Sequence, residues 1–162
     1  MAALKRAPIR SRPADNHLTA QEWETQFFLL LTRSGGQCEA RTSKCLAPGG
    51  RIEGMLPREQ VSVQHRRAQG MGGTSLDTTN DLANLLILCG TGVTGCHGWI
   101  ECEQRAAARE RGLWVGHDYR DGQPVPVAEY PLVLWSGRQV YLHPDQPLYL
   151  PHPDPYRLAT VA

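Results

Sequence analysis

Two cysteine pairs with the same internal spacing, Cys38 with Cys45 and Cys89 with Cys96, each enclose six residues, and the apolar run Leu85-Leu86-Ile87-Leu88 leads straight into the second pair. Thiolates from two separate loops can converge on one tetrahedral Zn²⁺, and the ion then clamps a chain whose own core is modest. The gap is wider than the usual spacing of about two to four residues, so the duplication carries the weight. The enclosed segments, Glu39 to Lys44 and Gly90 to Gly95, are polar or glycine-rich and would make poor core. The competing account is four reduced cysteines packed as small hydrophobes. The neighbours favour a four-cysteine site holding a structural Zn²⁺ on Cys38, Cys45, Cys89 and Cys96. The fifth cysteine, Cys102, is expected to be a buried thiol outside that set. An odd count of five, with a start from Met1 to Arg6 that lacks the apolar stretch of a secretory signal, makes a disulfide framework the weaker account. A reducing cytoplasm is the expected location.

The 162 residues suffice for one core with tails. No apolar run approaches the length of a membrane span, the longest being Phe27 to Leu31 and Leu85 to Leu88. A net charge of +1 excludes a strongly basic, histone-like binder but leaves room for a local basic face. Residues 1–18, with Lys5, Arg6, Arg10 and Arg12 among Pro8 and Pro13, are expected to form a flexible basic arm. From Thr19 the pattern turns helical. Thr19 and Glu22 have capping-box spacing, Trp23, Phe27, Leu30 and Leu31 recur at helical intervals, and Gly35-Gly36 ends the run. Val61 to His65 alternates as a strand, with Val61, Val63 and His65 on one face and Gln64 on the other. A glycine-rich loop from Arg66 to Asn80 leads to an apolar strand from Asn84 to Cys89 and then a helix from about Cys96 to Gly112. Residues 116–143 carry a hairpin signal around Ser136-Gly137-Arg138, and the prolines of residues 144–162 predict an extended tail. The fold class is therefore α+β, with the core over residues 19–115.

Hydrolysis of a phosphodiester requires a base to activate water, a cation on the scissile phosphate and a scaffold that holds both in line. Gln64-His65-Arg66-Arg67, Gly70-Met71-Gly72-Gly73, Asn84-Leu85-Leu86 and Cys96-His97-Gly98-Trp99 follow one another along the chain. With the two cysteine pairs, these segments resemble the zinc-containing HNH endonucleases encoded by tailed phages and prophages, over residues 38–112. The resemblance implies a ββα-metal unit, in which a hairpin and one helix grip a catalytic divalent ion such as Mg²⁺, Mn²⁺ or Ni²⁺. The N-terminal helix and the C-terminal β-hairpin are then additions to that HNH core. It implies His65 as general base, Asn84 as the brace of the loop carrying that base, and His97 as a metal ligand on the helix. It also implies cleavage of double-stranded DNA, by nicking or by a double-strand cut, with 5′-phosphate and 3′-hydroxyl ends. A partnership with terminase in phage genome packaging follows by analogy only.

The residues add chemical support. Arg66 and Arg67 beside His65 are expected to hold DNA phosphates. His97 and Glu101 stand four apart on one helical face, as two ligands of one ion should. The departure is Gln64, where the family usually carries His or Asp as a metal ligand. A neutral amide oxygen binds a hard cation more weakly than a carboxylate does, leaving Glu101 or water to complete the site. Gln64 also supports an alternative, a zinc-stabilised DNA-binding or adaptor module with weak or no catalysis. Against it stand His65, Asn84 and His97, none of which structural zinc needs. His17, His117, His143 and His152 are read as surface or loop residues.

Overall fold

Helix α1 spans Ala20–Ser34 because both of its ends are written into the sequence. Thr19 Oγ1 accepts from the Glu22 amide at 3.3 Å, and the Glu22 carboxylate accepts from the Thr19 amide at 2.6 Å, so the expected capping box is formed in both directions. Gly35, in the left-handed region at φ 62°, closes the other end. The structure, a computed structural model, describes residues 18–68 and 76–153. Most of the expected basic arm, residues 1–17, the Gly70 to Gly73 segment and residues 154–162 lie outside that range.

The inner face of α1, with Trp23, Phe27 and Leu30, packs on an antiparallel hairpin of β1 (Val61–His65) and β2 (Leu85–Cys89). The register pairs Val61 with Cys89 and His65 with Leu85. Strand β2 is buried at every position. Its apolar run is continuous rather than alternating because α1 covers one face and the segment after β2 covers the other. Each fully buried Leu or Ile here contributes roughly 1.5–3 kcal/mol.

A buried ion pair ties α1 to this strand. Arg33 bonds both oxygens of Glu39 at 2.9 and 2.8 Å and donates to the Leu82 and Leu85 carbonyls. Glu39 in turn accepts from the Ile87 amide at 2.8 Å and from the Tyr149 hydroxyl at 2.8 Å. All the lone pairs of the carboxylate thus find partners, which a buried charge requires.

The segment after β2 is not the single helix expected from Cys96 to Gly112. It has three pieces: α2 (Gly95–Gly98), a π-helical turn (Trp99–Glu103) and α3 (Arg105–Glu110), with Gln104 out of helical conformation at φ −136°. No glycine or proline between Trp99 and Arg111 announces that break. Beyond it, a short pair β3 (Tyr119–Arg120) and β4 (Gln123–Pro124) precedes a three-stranded sheet in the order β5-β6-β7. Strands β5 (Leu132–Val133) and β6 (Gln139–Leu142) are the expected hairpin, with a shorter first arm. Strand β7 (Tyr149–Leu150) corrects the expectation that everything from residue 144 is tail. Leu150 is buried and Tyr149 reaches Glu39, so the prolines of this stretch frame a strand instead of excluding one. No helix among the described residues is long and apolar enough to cross a membrane.

Candidate functional site

The four expected cysteines converge. The sulfurs of Cys38, Cys45, Cys89 and Cys96 all lie within 4.8 Å of one another, with Cys45 the most accessible of the four. The turn between Cys89 and Cys96 reverses through Gly90 at φ 89°, where a Cβ would run into the Thr94 carbonyl, so glycine is required there. Backbone amides aim at the sulfurs: Thr42 N to Cys96 at 3.2 Å, Leu46 N to Cys89 at 3.3 Å and Cys89 N to Cys38 at 3.4 Å. Such donors favour thiolate over thiol. Hydrogen bonds from Cys38 and Cys96 hold the Cys89 thiol well below its ordinary range and one from Cys38 brings Cys45 down to about 7, while the same shared protons, with burial, push Cys38 and Cys96 up. Four sulfur donors at this separation can hold a metal ion, and the donor set suits a soft or borderline one. Among the described residues this is the one group of three or more His, Cys, Asp or Glu side chains placed to share an ion. Cys102 corrects its expectation: it is exposed, with its sulfur against the Gly92 carbonyl at 3.3 Å.

The other residues singled out in the sequence distribute over the two faces of the hairpin. Strand alternation sends Ser62 and Gln64 toward the segment after β2 and His65 toward α1. On the first face Gln64 Nε2 donates to Glu101 Oε1 at 3.0 Å. Because a carboxylate only accepts, the amide nitrogen must face Glu101, which leaves Gln64 Oε1 buried without a hydrogen-bond partner. His97 approaches the same face through Nδ1, 2.8 Å from Ser62 Oγ. Burial lowers the His97 pKa below its ordinary 6.5, against the pull of Glu101. Arg105 completes the surroundings of Glu101 at 3.2 Å. Gln64 and Ser62 thus share one face of β1, on which they meet Glu101 and His97 respectively.

On the other face, His65 Nε2 lies 3.1 Å from Asn80 Oδ1, and its ring meets Trp23 edge-on with centroids 6.2 Å apart. Burial lowers its pKa below the ordinary 6.5, with the Asn80 contact opposing. Asn84 is buried at the start of β2 and clamps the chain just after His65. Its Oδ1 accepts from the Arg67 amide at 2.7 Å, while its Nδ2 donates to the Thr79 carbonyl at 2.8 Å and to the Arg67 carbonyl at 3.4 Å. Asn80 and Ser62 belong to none of the motifs read from the sequence. Strand alternation alone groups Ser62 with Gln64, whereas nothing local marks Asn80.

Arg66 and Arg67 correct the expectation that they hold phosphates. Arg66 is 0% exposed and commits all five N–H donors to carbonyls of Gly112, Ala83, Val127, Tyr130 and Pro131. Burial brings its pKa down to about 9, which keeps it charged at neutral pH. Arg67 is also buried and bonds the Gly116 and Val125 carbonyls at 3.0 and 2.7 Å. Both guanidinium groups are internal cross-links.

Comparison with known proteins finds no matching family model, curated protein or solved structure. The class defined by fold and site is thus an α+β domain carrying a four-cysteine cluster that could bind zinc or another metal.

Proposed function

We propose that this chain is a metal-dependent endonuclease of the HNH type, acting on double-stranded DNA, with a structural Zn²⁺ on Cys38, Cys45, Cys89 and Cys96. The observation that carries the proposal is the Asn84 clamp. A buried amide grips both backbone polar groups of Arg67, two residues past His65. In a nuclease that clamp holds the loop bearing the base. His65 would take the proton from the attacking water, with Asn80 orienting the ring. A divalent ion, when bound, would supply positive charge to the phosphate and the leaving oxygen. His97, Gln64 Oε1 and Glu101 would hold it, and the carboxylate would offset the weakness of the neutral amide. Since His65 and Gln64 leave β1 on opposite faces, the phosphate would sit at the strand's end, where adjacent residues come within reach of one group.

The test is plasmid nicking with Mg²⁺, Mn²⁺ or Ni²⁺. His65→Ala is expected to lower the rate by roughly 10²–10⁴-fold, the usual worth of a general base, while zinc content and DNA affinity stay near wild type. His97→Ala is expected to abolish metal-dependent cleavage. Activity requires neutral His65, so the rate should rise with pH through a limb centred below the ordinary imidazole value of 6.5. Wild-type rates in the His65 variant would remove that residue from the mechanism.

The neutral Gln64 favours a second reading, a zinc-stabilised DNA-binding or adaptor module. It predicts DNA retention in a mobility-shift assay with no nicking under any of the three ions. Phage terminase is the partner proposed for either version, on analogy alone.

A further inference from the structure

We propose that Ser62 is a positioning residue that locks His97 in its Nδ1-protonated tautomer, so that Nε2 is the nitrogen offered to the divalent ion. The tautomer rests on geometry alone, and its purpose rests on the nuclease reading above. Ser62 shares a face of β1 with Gln64. Its Oγ lies 2.8 Å from the Gly90 carbonyl oxygen and 2.8 Å from His97 Nδ1. A carbonyl only accepts, so the single hydroxyl hydrogen is committed to Gly90. The serine oxygen is then left to accept from His97, and Nδ1 must carry the proton. A neutral imidazole has one N–H, which leaves the lone pair on Nε2.

The anchor of this chain of bonds is itself fixed. Gly90 donates to the Gln60 carbonyl at 2.7 Å and directly follows Cys89. The turn that brings Cys89 and Cys96 together therefore also presents the carbonyl that sets the tautomer of His97. Assembly of the cysteine cluster and orientation of the neighbouring ligand are one local event.

Long-range ¹H–¹⁵N correlation spectra of the zinc-loaded full chain read the tautomer directly, with the His97 signals assigned through His97→Gln. The expected wild-type spectrum has a protonated Nδ1 and a bare Nε2. Ser62→Ala should give a tautomer mixture, and Ser62→Thr, which keeps the hydroxyl, should restore the single form. Calorimetric titration with Mn²⁺, which competes poorly for thiolates, should show affinity falling about 10–100-fold in Ser62→Ala, the usual cost of losing an orienting partner, and recovering in Ser62→Thr. A wild-type ring protonated at Nε2 overturns the proposal even if Ser62→Ala fails to fold. Unchanged Mn²⁺ affinity in a folded, zinc-replete Ser62→Ala also overturns it. A protein that shows the tautomer and the Mn²⁺ effect but does not nick DNA upholds the role of Ser62 and sinks the nuclease reading.

Discussion

Removing the metal from the four-cysteine site is expected to unfold the chain. Cys38, Cys89 and Cys96 belong to the buried core, and Cys89 ends strand β2 opposite Val61 of β1. Without an ion, four sulfurs within 4.8 Å of one another would have to share protons in a buried space, where thiolates repel and thiols leave the amide donors poorly matched. Structural zinc in small domains supplies apparent binding energies of about 10–16 kcal/mol at pH 7. That equals or exceeds the whole stability of a typical domain, about 5–15 kcal/mol. Chelation followed by far-ultraviolet circular dichroism should show loss of helix, with one zinc released per chain by elemental analysis. Cys89→Ser should be more damaging than Cys45→Ser, because Cys45 alone of the four keeps partial access to water. A metal-free protein with an unchanged melting transition would contradict this account.

Arg66→Ala is expected to be the most destabilising single substitution outside the cysteines. Four carbonyls, from Ala83, Gly112, Tyr130 and Pro131, lose their side-chain donor together, those of Ala83 and Gly112 in the buried interior, while that of Val127 keeps the Tyr130 amide. Each buried polar group left unpaired costs roughly 1–3 kcal/mol. Even with partial relaxation, a loss on the order of 4–5 kcal/mol or more follows, in the exceptional range for a point change. Arg66→Lys should rescue little, since an ammonium offers three donors from a single atom where five diverging ones are needed. Urea denaturation measures this directly. An Arg66→Ala protein with a near-wild-type midpoint and weakened DNA binding would restore the phosphate-contact role that its burial removes.

Local signals are readable in this sequence and distant ones are not. The capping residues and Gly35 delimit α1, the alternation of Val61 to His65 marks a strand with two different faces, and the unbroken apolar run to Cys89 marks one covered on both sides. The duplicated cysteine spacing points to a cluster that does assemble. What sequence spacing does not encode is which side of a strand end becomes interior. An arginine next to a candidate base reads as a phosphate ligand unless its acceptors are known, and those of Arg66 come from residues up to 65 positions away. Strand β7 is hidden for the same reason, since its partner β6 and its anchor Glu39 are supplied by the tertiary fold. Asn80, placed by the two short 3₁₀ turns Asp77–Asn80 and Leu82–Asn84, likewise meets His65 only after the chain returns to the hairpin.

Burial of Arg33, Arg66 and Arg67 changes how this protein can meet a polyanion. Among the described residues, nine Lys and Arg side chains are left outside the buried set, against thirteen Asp and Glu. The cationic excess of the whole chain resides in residues 1–17, where Lys5, Arg6, Arg10 and Arg12 face a single Asp15. Each phosphate neutralised on duplex DNA releases condensed counterions and adds about 0.9 to the slope of log affinity against log salt. A folded body with an anionic surface can contribute only a few such contacts, so the ionic-strength dependence of DNA binding should be shallow for the body and rise with the first seventeen residues attached.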